Sequence, residues 1–353
     1  MRLRLPSLVL IFGILGSNLL RAQNTPADSL LVLSKSGQTL AIVDPSTLKA
    51  IAKIPVGNDP HEVIASTDGK TAYVSNYGFG AYNTLAVVDL VNQKALPSID
   101  LGALRGPHGL DFVGGKVWFT AEAAKAIGSY DPATQKIDWI LGTGQNRTHM
   151  IYVWPDLKRV VTTNVSSGTV SIIEKTAGAT AGPPKAAAGK MGPPPRGPMG
   201  APGGDWNETV VKVGSGSEGF DLSPDSKEIW VANAGDGTVS LIDVSTKSVT
   251  QTLAADVRGA NRLKFTPDGK LVLISTLGGP DVTVIDSATR KTVKHIPVGH
   301  GAAGILVQPD GSRAFVACTP DSYVAVIDLH SLTVVGHIDA GQNPDGLAWA
   351  TRR

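Results

Sequence analysis

The sequence contains little cysteine, few aromatic residues and almost no net charge, and each shortage excludes a class of protein. Cys318 is the only cysteine in 353 residues, which excludes an intramolecular disulfide and a cysteine-based zinc site. The net charge of +2 gives no overall field that would attract nucleic acid or an anionic membrane. Aromatic residues make up 5% of the chain and glycine occurs 40 times, a balance that suits short strands and tight turns.

Several motifs of enzyme and nucleic-acid chemistry are also missing. The sequence has no phosphate-binding glycine loop, no Gly-x-Ser-x-Gly elbow and no paired-cysteine motif. It lacks a basic, aromatic-lined stretch, so we expect no nucleic-acid partner. No triad spacing supports Cys318 as a nucleophile, and we expect it to be a small buried residue.

The first residues are typical of a signal peptide. Arg2 and Arg4 precede an apolar run from Leu8 to Leu15, and the small residue Ala22 stands at a suitable cleavage point. The run is too short to span a bilayer comfortably, which favours a removed signal over a membrane anchor. We therefore expect residues 1–22 to be removed and the mature chain to be periplasmic or extracellular, a monomer without a transmembrane span.

One pattern of strands and turns is repeated along the chain. Its clearest copy runs from Ser223 to Val249, where tight turns separate short β runs. An acidic residue ends the third strand of each of seven copies: Asp44, Asp89, Asp131, Glu174, Asp243, Asp286 and Asp328. Five of the six intervals are close to the ~43-residue period of four-stranded propeller blades. The sequence therefore predicts an all-β fold, a seven-bladed β-propeller of four-stranded antiparallel blades spanning residues 23–353.

One blade is divided between the two ends of the chain. Residues 345–349 supply its inner strand, and the N-terminal region supplies the other three: Leu30–Leu33, Thr39–Asp44 and Ile51–Ile54. Pairing of the termini closes the ring and removes an open sheet edge.

The one long interval contains an insertion, residues 176–204, which is rich in proline, glycine and alanine and has no acidic residue. Such a composition cannot bury a core, so we expect a disordered loop between the third and fourth strands of one blade. We expect turns between third and fourth strands to lie on the face of the propeller opposite the loops that enter the inner strands. One hypothesis is that the loop tethers the protein to envelope material.

The repeat resembles that of the YVTN family. The resemblance lies in Tyr73-Val-Ser-Asn76, the Pro-Asp-Gly-Lys turn at 267–270, Val239-Ser-Leu-Ile-Asp243 and the Ile-Pro-Val-Gly endings at 54–57 and 296–299. It covers nearly the whole mature chain. The family consists of propellers found in exported, surface-layer-like and lactonase-like proteins, so the resemblance implies the fold more narrowly than the function.

Seven equivalent positions lie just before the predicted inner strands. In ring order they are Asp345, His61, His108, His149, Glu218, Asn261 and Ala303. Imidazoles and carboxylates that converge on a channel mouth suit Zn²⁺ or a similar divalent metal. The candidate metal ligands are therefore His61, His108, His149 and Glu218. The alternatives are contact with a ligand or water without a metal, and a purely structural role in the turn after proline.

A second predicted ring comes from the ends of the second strands: Lys35, Asn76, Glu122, Asn164, Asn233, Thr276 and Cys318. Asparagine favours local capping there, whereas Lys35 and Glu122 break the pattern and are candidates for ligand binding. Four loop arginines of the same face would either clamp an anionic ligand or remain solvated: Arg105, Arg147, Arg258 and Arg262.

These residues support two hypotheses of function. The first is an exported binding or scaffold module that recognises a small molecule or an envelope protein at the histidine-bearing mouth. The alternative, which the family resemblance suggests, is a lactonase- or lyase-type enzyme in which a bound cation polarises a carbonyl and a histidine exchanges the proton. In that case His61, His108 and His149, with Glu218 or Asp345, would carry the metal or the acid–base chemistry.

Overall fold

A computed structural model describes residues 24–176 and 205–353. The expected signal peptide, residues 1–22, lies outside the described residues, as does nearly all of the expected loop at 176–204. Over the described ranges, no helix has the length and apolar character that crossing a membrane requires.

The described residues form 28 strands and two single-turn 3-10 helices. The first fifteen strands are β1 Asp28–Ser34, β2 Thr39–Asp44, β3 Lys49–Pro55, β4 Pro60–Ala65, β5 Thr71–Asn76, β6 Thr84–Asp89, β7 Lys94–Asp100, β8 Pro107–Val113, β9 Lys116–Ala121, β10 Ala126–Asp131, β11 Lys136–Gly142, β12 Thr148–Val153, β13 Arg159–Asn164, β14 Thr169–Lys175 and β15 Trp206–Lys212. The remaining strands are β16 Ser217–Leu222, β17 Glu228–Asn233, β18 Thr238–Asp243, β19 Ser248–Ala254, β20 Ala260–Phe265, β21 Leu271–Thr276, β22 Asp281–Asp286, β23 Lys291–Pro297, β24 Ala302–Val307, β25 Arg313–Cys318, β26 Tyr323–Asp328, β27 Thr333–Ile338 and β28 Pro344–Thr351. The 3-10 turns are Gly78–Gly80 and Val165–Ser167.

In the part of the chain that is described, the strands assemble into seven antiparallel sheets of four. Blade 1 consists of β28, β1, β2 and β3, and blades 2 to 7 follow in order as β4–β7, β8–β11, β12–β15, β16–β19, β20–β23 and β24–β27. In blade 1, β28 pairs with β1 from Asp28 against Thr351 to Ser34 against Pro344. The inner strand β28 also contacts β4 and β24, which completes the circle. The predicted seven-bladed propeller, closed through its two termini, is confirmed.

The aspartates that end the third strands shape the outer hairpins. Asp44 Oδ1 accepts hydrogen bonds from Ser46 N at 2.8 Å and from Ser46 Oγ at 2.6 Å. Asp328 Oδ1 accepts the same two kinds of bond from Ser331. In six blades the residue before the outer strand takes the left-handed conformation that closes the turn, as at Leu48 with φ 59°. Because an acidic side chain favours this turn, it marks the blades in the sequence.

Most apolar side chains are buried between blades. In β18, the four residues from Val239 to Ile242 are all buried, because neighbouring blades cover both faces of the sheet. Phe315 of blade 7 belongs to one cluster with Leu30 of blade 1 and Val324. Burial of each such large side chain contributes about 1.5–3 kcal/mol. Since a blade covers its faces only with its neighbours, stability depends on a completed circle.

Deletion of residues 342–353 removes β28 and should abolish cooperative folding. The deletion exposes the edge of β1. It also exposes the side chains that now bury Ala348 and Ala350, since these two alanines are only 4% and 3% exposed in the intact chain. We expect the thermal melt, followed by circular dichroism, to lose its cooperative transition or to end in aggregation. A chain shortened only by Arg353 serves as the control. An unchanged melt of the longer deletion would contradict closure through the termini.

Candidate functional site

Each inner strand begins with a bulge that sets the direction of the candidate side chains. The structure places these residues second in the strand rather than just before it, as with His61 in β4 and His149 in β12. In every blade of the described ring, two residues of the inner strand oppose one of the second strand. In blade 2, Pro60 pairs with Asn76 and Val63 with Val74. A bulge interrupts the regular alternation of side chains along a strand. The alternation in the sequence therefore begins only after the bulge, and it predicted a strand start that is too late.

Hydroxyl groups of the second strands fix these bulges between neighbouring blades. Thr120 Oγ1 accepts a hydrogen bond from Gly109 N at 2.9 Å and donates one to the carbonyl oxygen of His149 at 2.7 Å. Each such hydroxyl therefore joins the bulge of its own blade to the candidate residue of the next blade. Equivalent pairs of contacts join Thr163 to Met150 N and Glu218 O, and Ser275 to Arg262 N and Ala303 O.

Glycines at the third position of four inner strands, Gly109 and Gly346 among them, allow neighbouring strands to approach closely at the same level. A Cβ atom on Gly109 would lie 2.5 Å from the carbonyl oxygen of His149, and one on Gly346 would lie 2.4 Å from that of His61. Any larger residue would force the strands apart. The narrow channel at this level therefore depends on the absence of a side chain at both positions.

The histidines of blades 2, 3 and 4 form one row at the channel mouth. The ring centroids of His61 and His108 are 4.4 Å apart, and those of His108 and His149 are 3.8 Å apart. His108 is fully buried, and its two ring nitrogens have no hydrogen-bond partner among residues 24–176 and 205–353. Buried polar groups are normally paired, so the row has the capacity to bind a further group.

One end of the row carries a lysine between two carboxylates. Lys35 Nζ lies 2.7 Å from His61 Nδ1, 3.1 Å from Asp345 Oδ2 and 3.4 Å from Asp59 Oδ1. The pKa of His61 is lowered, mainly by burial, although the charge of Asp345 opposes this. The lysine thus donates to a neutral imidazole, and His61 Nδ1 already has a partner.

At the other end of the row, His149 lies between two glutamates. Its Nδ1 is 2.5 Å from Glu122 Oε1, and its Nε2 is 3.1 Å from Glu218 Oε1, in a direction that does not make a hydrogen bond. Tyr77 Oη donates to Glu122 Oε2 at 2.5 Å. Arg147 approaches both carboxylates only to 3.5 Å and 3.7 Å, and its side chain is 43% exposed. This guanidinium is therefore a loosely held cation at the solvent edge.

Burial and charge move the pKa values of the row in different directions. Burial holds the pKa of His108 well below its ordinary 6.5, and the charges of His149 and His61 add to this effect. Burial also opposes protonation of His149, but Glu218 and Glu122 outweigh it and raise the pKa. Burial raises the pKa of Glu218, yet His149 and Arg147 outweigh it and lower that pKa to about 2. A neutral imidazole thus lies against a basic imidazole with its carboxylate partner.

An ion pair crosses the channel one residue deeper. Glu62 of blade 2 and Arg262 of blade 6 are in contact, and Arg262 is only 4% exposed. Blades 2 and 6 stand on opposite sides of the ring, so this pair spans the channel. We use the name cup for the group of side chains at this end of the channel, which consists of His61, His108, His149, Glu218 and Asp345 together with this ion pair.

The second predicted ring is one residue out of register in two blades. Ser34 and Ala121, rather than Lys35 and Glu122, end the second strands β1 and β9. The prediction was wrong for these two strands because their ends are set by pairing with the inner strands, Ser34 with Pro344 and Ala121 with Pro107. Lys35 and Glu122 are instead the first loop residues, and Tyr77 holds the same position in blade 2. Tyr77 was missed, although counting one residue past the strand end would have found it.

The asparagines of that ring make the local contacts of structural residues. Asn164 Nδ2 donates to Thr169 Oγ1 at 3.1 Å and to Ser171 Oγ at 2.9 Å. Asn233 makes the matching contacts in blade 5. Asn76 donates to two loop carbonyls. The amide nitrogens of all three asparagines are thus bonded to nearby groups.

The remaining candidates lie outside the histidine row. Arg105 and Arg258 donate to backbone carbonyls of nearby loops, at 2.6 Å and 2.8 Å. Asn261 is buried at its ring position, and its Oδ1 has no partner among the residues described. Cys318 is buried as expected, and burial raises its pKa to about 12, which disfavours the reactive thiolate.

Phe79 marks the outer edge of the cup. Its side chain is 85% exposed, and its backbone is left-handed, with φ 50° and ψ 40°. Gly78 and Gly80 on either side also have positive φ. A cavity of about 410 Å³ lies here, lined by Tyr77, Phe79, Gly80, Glu122, Ala123 and Arg147. Backbone strain beside a concave polar site is typical of functional loops.

Comparison with known proteins supports the fold. Residues 203–313 match the family model of YNCE-like beta-propellers. No curated protein matches the sequence. A crystal structure of a functionally unknown protein from Desulfotomaculum acetoxidans DSM 771 is 14% identical, with a TM-score of 0.70 over 92% of this chain and 99% of that one. A candidate 6-phosphogluconolactonase from Bacteroides uniformis ATCC 8492 is 15% identical, with a TM-score of 0.68 over 92% of this chain and 100% of that one. A second such protein, from Bacteroides fragilis NCTC 9343, is 16% identical, with a TM-score of 0.67 over 93% and 99%. At these identities the likeness concerns the propeller fold alone.

Replacement of Thr120 by valine should destabilise the protein by about 2–4 kcal/mol, since each buried group left unpaired costs about 1–3 kcal/mol. The unpaired groups would be Gly109 N–H and the carbonyl of His149. Thr120→Ser retains the hydroxyl and should change stability by less than about 1 kcal/mol. Thr162→Val is the matched control, because Thr162 Oγ1 is buried without a partner in the described structure. Urea unfolding measures all three, and equal effects of the two valine variants would contradict the proposed bridge.

Proposed function

We propose that this protein is an exported binding module that holds a small molecule in the cup. The observation that carries the proposal is the buried histidine row, in which both nitrogens of His108 lack a partner among the described residues. Desolvation of polar groups without compensation disfavours folding. Unpaired polar groups that are buried at the mouth of a channel are typical of a site that binds a ligand.

The edge of the cup suggests the chemistry of the ligand. Phe79 and Tyr77 offer aromatic surface, with ring centroids 5.5 Å apart. Arg147 offers a partly exposed guanidinium, and Glu122 offers a carboxylate. A small molecule with an apolar or aromatic ring and a polar or anionic group would match these features. The cavity of about 410 Å³ beside Phe79 has room for such a molecule.

Export is the second part of the proposal and is supported by the sequence of residues 1–22 alone. A mature protein that begins at Gln23 would present the cup to solutes outside the cytoplasm. The intact mass of the protein purified from cell fractions tests this directly, and a full-length mass from a cytoplasmic fraction would contradict it.

Replacement of Phe79 by alanine should weaken binding without unfolding the chain, because the side chain is 85% exposed. The protein is dialysed to equilibrium against a metabolite extract, and the enriched compounds are identified by mass spectrometry. We expect wild type to enrich a compound that Phe79→Ala binds at least about tenfold more weakly, which corresponds to the loss of one good aromatic contact. Val335→Ala, at a 58% exposed position of the outer strand β27, is the control. If wild type enriches nothing beyond Phe79→Ala, the binding proposal fails.

A second candidate is a lactonase- or lyase-type enzyme that uses the same cup. The placement of His149 between Glu122 and Glu218 favours it, because a basic imidazole with two carboxylates can exchange a proton with a substrate. Two of the similar structures are described as candidate 6-phosphogluconolactonases. That description belongs to those proteins and supplies only the substrate class worth testing here.

A panel of lactones separates the two candidates. If the protein is an enzyme, wild type hydrolyses at least one lactone, and the triple variant His61→Ala, His108→Ala, His149→Ala loses at least about a hundredfold of the rate, the range of a lost acid–base group. Glu122→Gln carries the test if the triple variant does not fold. No turnover by wild type, or equal turnover by folded variants, would exclude the enzyme.

A further inference from the structure

We infer that His108, Glu122 and His149 bind one divalent transition-metal ion, an inference that deepens the proposed binding function and rests on the same cup. One ligand atom from each of the three residues lies within 4.8 Å of the other two. All three side chains are buried. Small adjustments of the side chains would bring these atoms to the separations of a metal coordination shell, in which each bond is about 2.0–2.2 Å.

The unpaired nitrogens of His108 are the independent sign of a missing partner. The ring is 0% exposed, and it lies against the rings of His61, His149 and Tyr77. No donor or acceptor within residues 24–176 and 205–353 reaches either nitrogen. A neutral imidazole nitrogen is a strong ligand for divalent transition metals, so a metal ion would satisfy the group that the folded chain leaves unpaired.

The charge of the cup favours a divalent cation. Among the described residues in the cup and its edge, five carboxylates face three cationic side chains: Asp59, Glu62, Glu122, Glu218 and Asp345 against Lys35, Arg147 and Arg262. A histidine must be neutral to bind a metal ion, and with the histidines neutral the excess is two negative charges. Uncompensated charge in a buried site is costly, and one divalent ion would balance it.

Neighbouring groups already orient the three ligands. Tyr77 Oη donates to Glu122 Oε2, which holds that carboxylate in place. The Thr120 hydroxyl fixes the backbone of His149, and the same hydroxyl accepts from Gly109, next to His108. Such outer contacts are typical of metal sites, where they fix the ligand geometry. Arg147, held only by long ion pairs, covers the site from the solvent side and can move away to admit an ion.

The donor set indicates the class of metal. Two imidazoles and one carboxylate suit Zn²⁺ and related first-row ions, whereas Ca²⁺ and Mg²⁺ prefer oxygen ligands. The set differs from the sequence-based one. Glu122 is grouped with His108 and His149, whereas His61 and Glu218 are not part of this group.

Titration with Co²⁺ tests the inference. Untagged protein is treated with a chelator and titrated with Co²⁺, followed by its visible absorption, and Zn²⁺ is then added as competitor. We expect one equivalent to bind and Zn²⁺ to displace it. His108→Ala and Glu122→Gln should each weaken binding by at least about tenfold, the loss typical of disturbed metal sites. His330→Ala, in an exposed turn between β26 and β27, should bind as wild type does.

Each outcome has a distinct meaning. The metal site is overturned if wild type binds less than about a tenth of an equivalent of Co²⁺, since real sites bind tightly. It is also overturned if Glu122→Gln and wild type bind Co²⁺ with equal affinity. Glu122→Gln decides the question if His108→Ala does not give a cooperative melt. The metabolite dialysis described above is run with and without chelator. Enrichment that depends on Phe79 but not on metal would sustain the binding function alone, and the loss of both results would remove both proposals.

Discussion

The hydroxyl bridge between neighbouring inner strands is the contact on which the rest of the site depends. Thr120 binds the bulge of blade 3 and the carbonyl of His149 in blade 4 with the same oxygen. The bulge directs a side chain to the axis, and the bridge sets its distance from the side chain of the next blade. Ring-to-ring contact between His108 and His149, at 3.8 Å, follows from these two backbone constraints. The positions of the three histidines are therefore determined by strand geometry.

The fold could be predicted because its marks are local. An aspartate such as Asp44 shapes its own hairpin, so the spacing between these aspartates gives the number of blades. The divided blade is visible in the sequence as three strands at the N-terminal end and one strand at the C-terminal end. The histidine row was also predictable, since His61, His108 and His149 hold one repeat position. The propeller topology then places equivalent positions of the repeat at the same level of the channel.

The finer geometry of the site could not be predicted, because it depends on contacts between blades. Whether Lys35 or Ser34 ends a strand is decided by pairing with β28, which no local pattern records. Tyr77 reaches Glu122 across a blade boundary, and Arg262 reaches Glu62 across the full channel. Long side chains such as these have many rotamers, and only the packed ring selects one. The sequence identified most of the candidate residues, whereas the contacts that each residue makes are visible only in the structure.

The ion pair between Glu62 and Arg262 has a consequence for traffic along the axis. Because the two side chains meet from opposite sides, they narrow the passage between the two faces of the ring. Removal of one partner from such a buried pair costs about 3–5 kcal/mol, so the pair resists opening. The two ends of the channel can therefore differ in chemistry, with histidines at one end and an independent surface at the other.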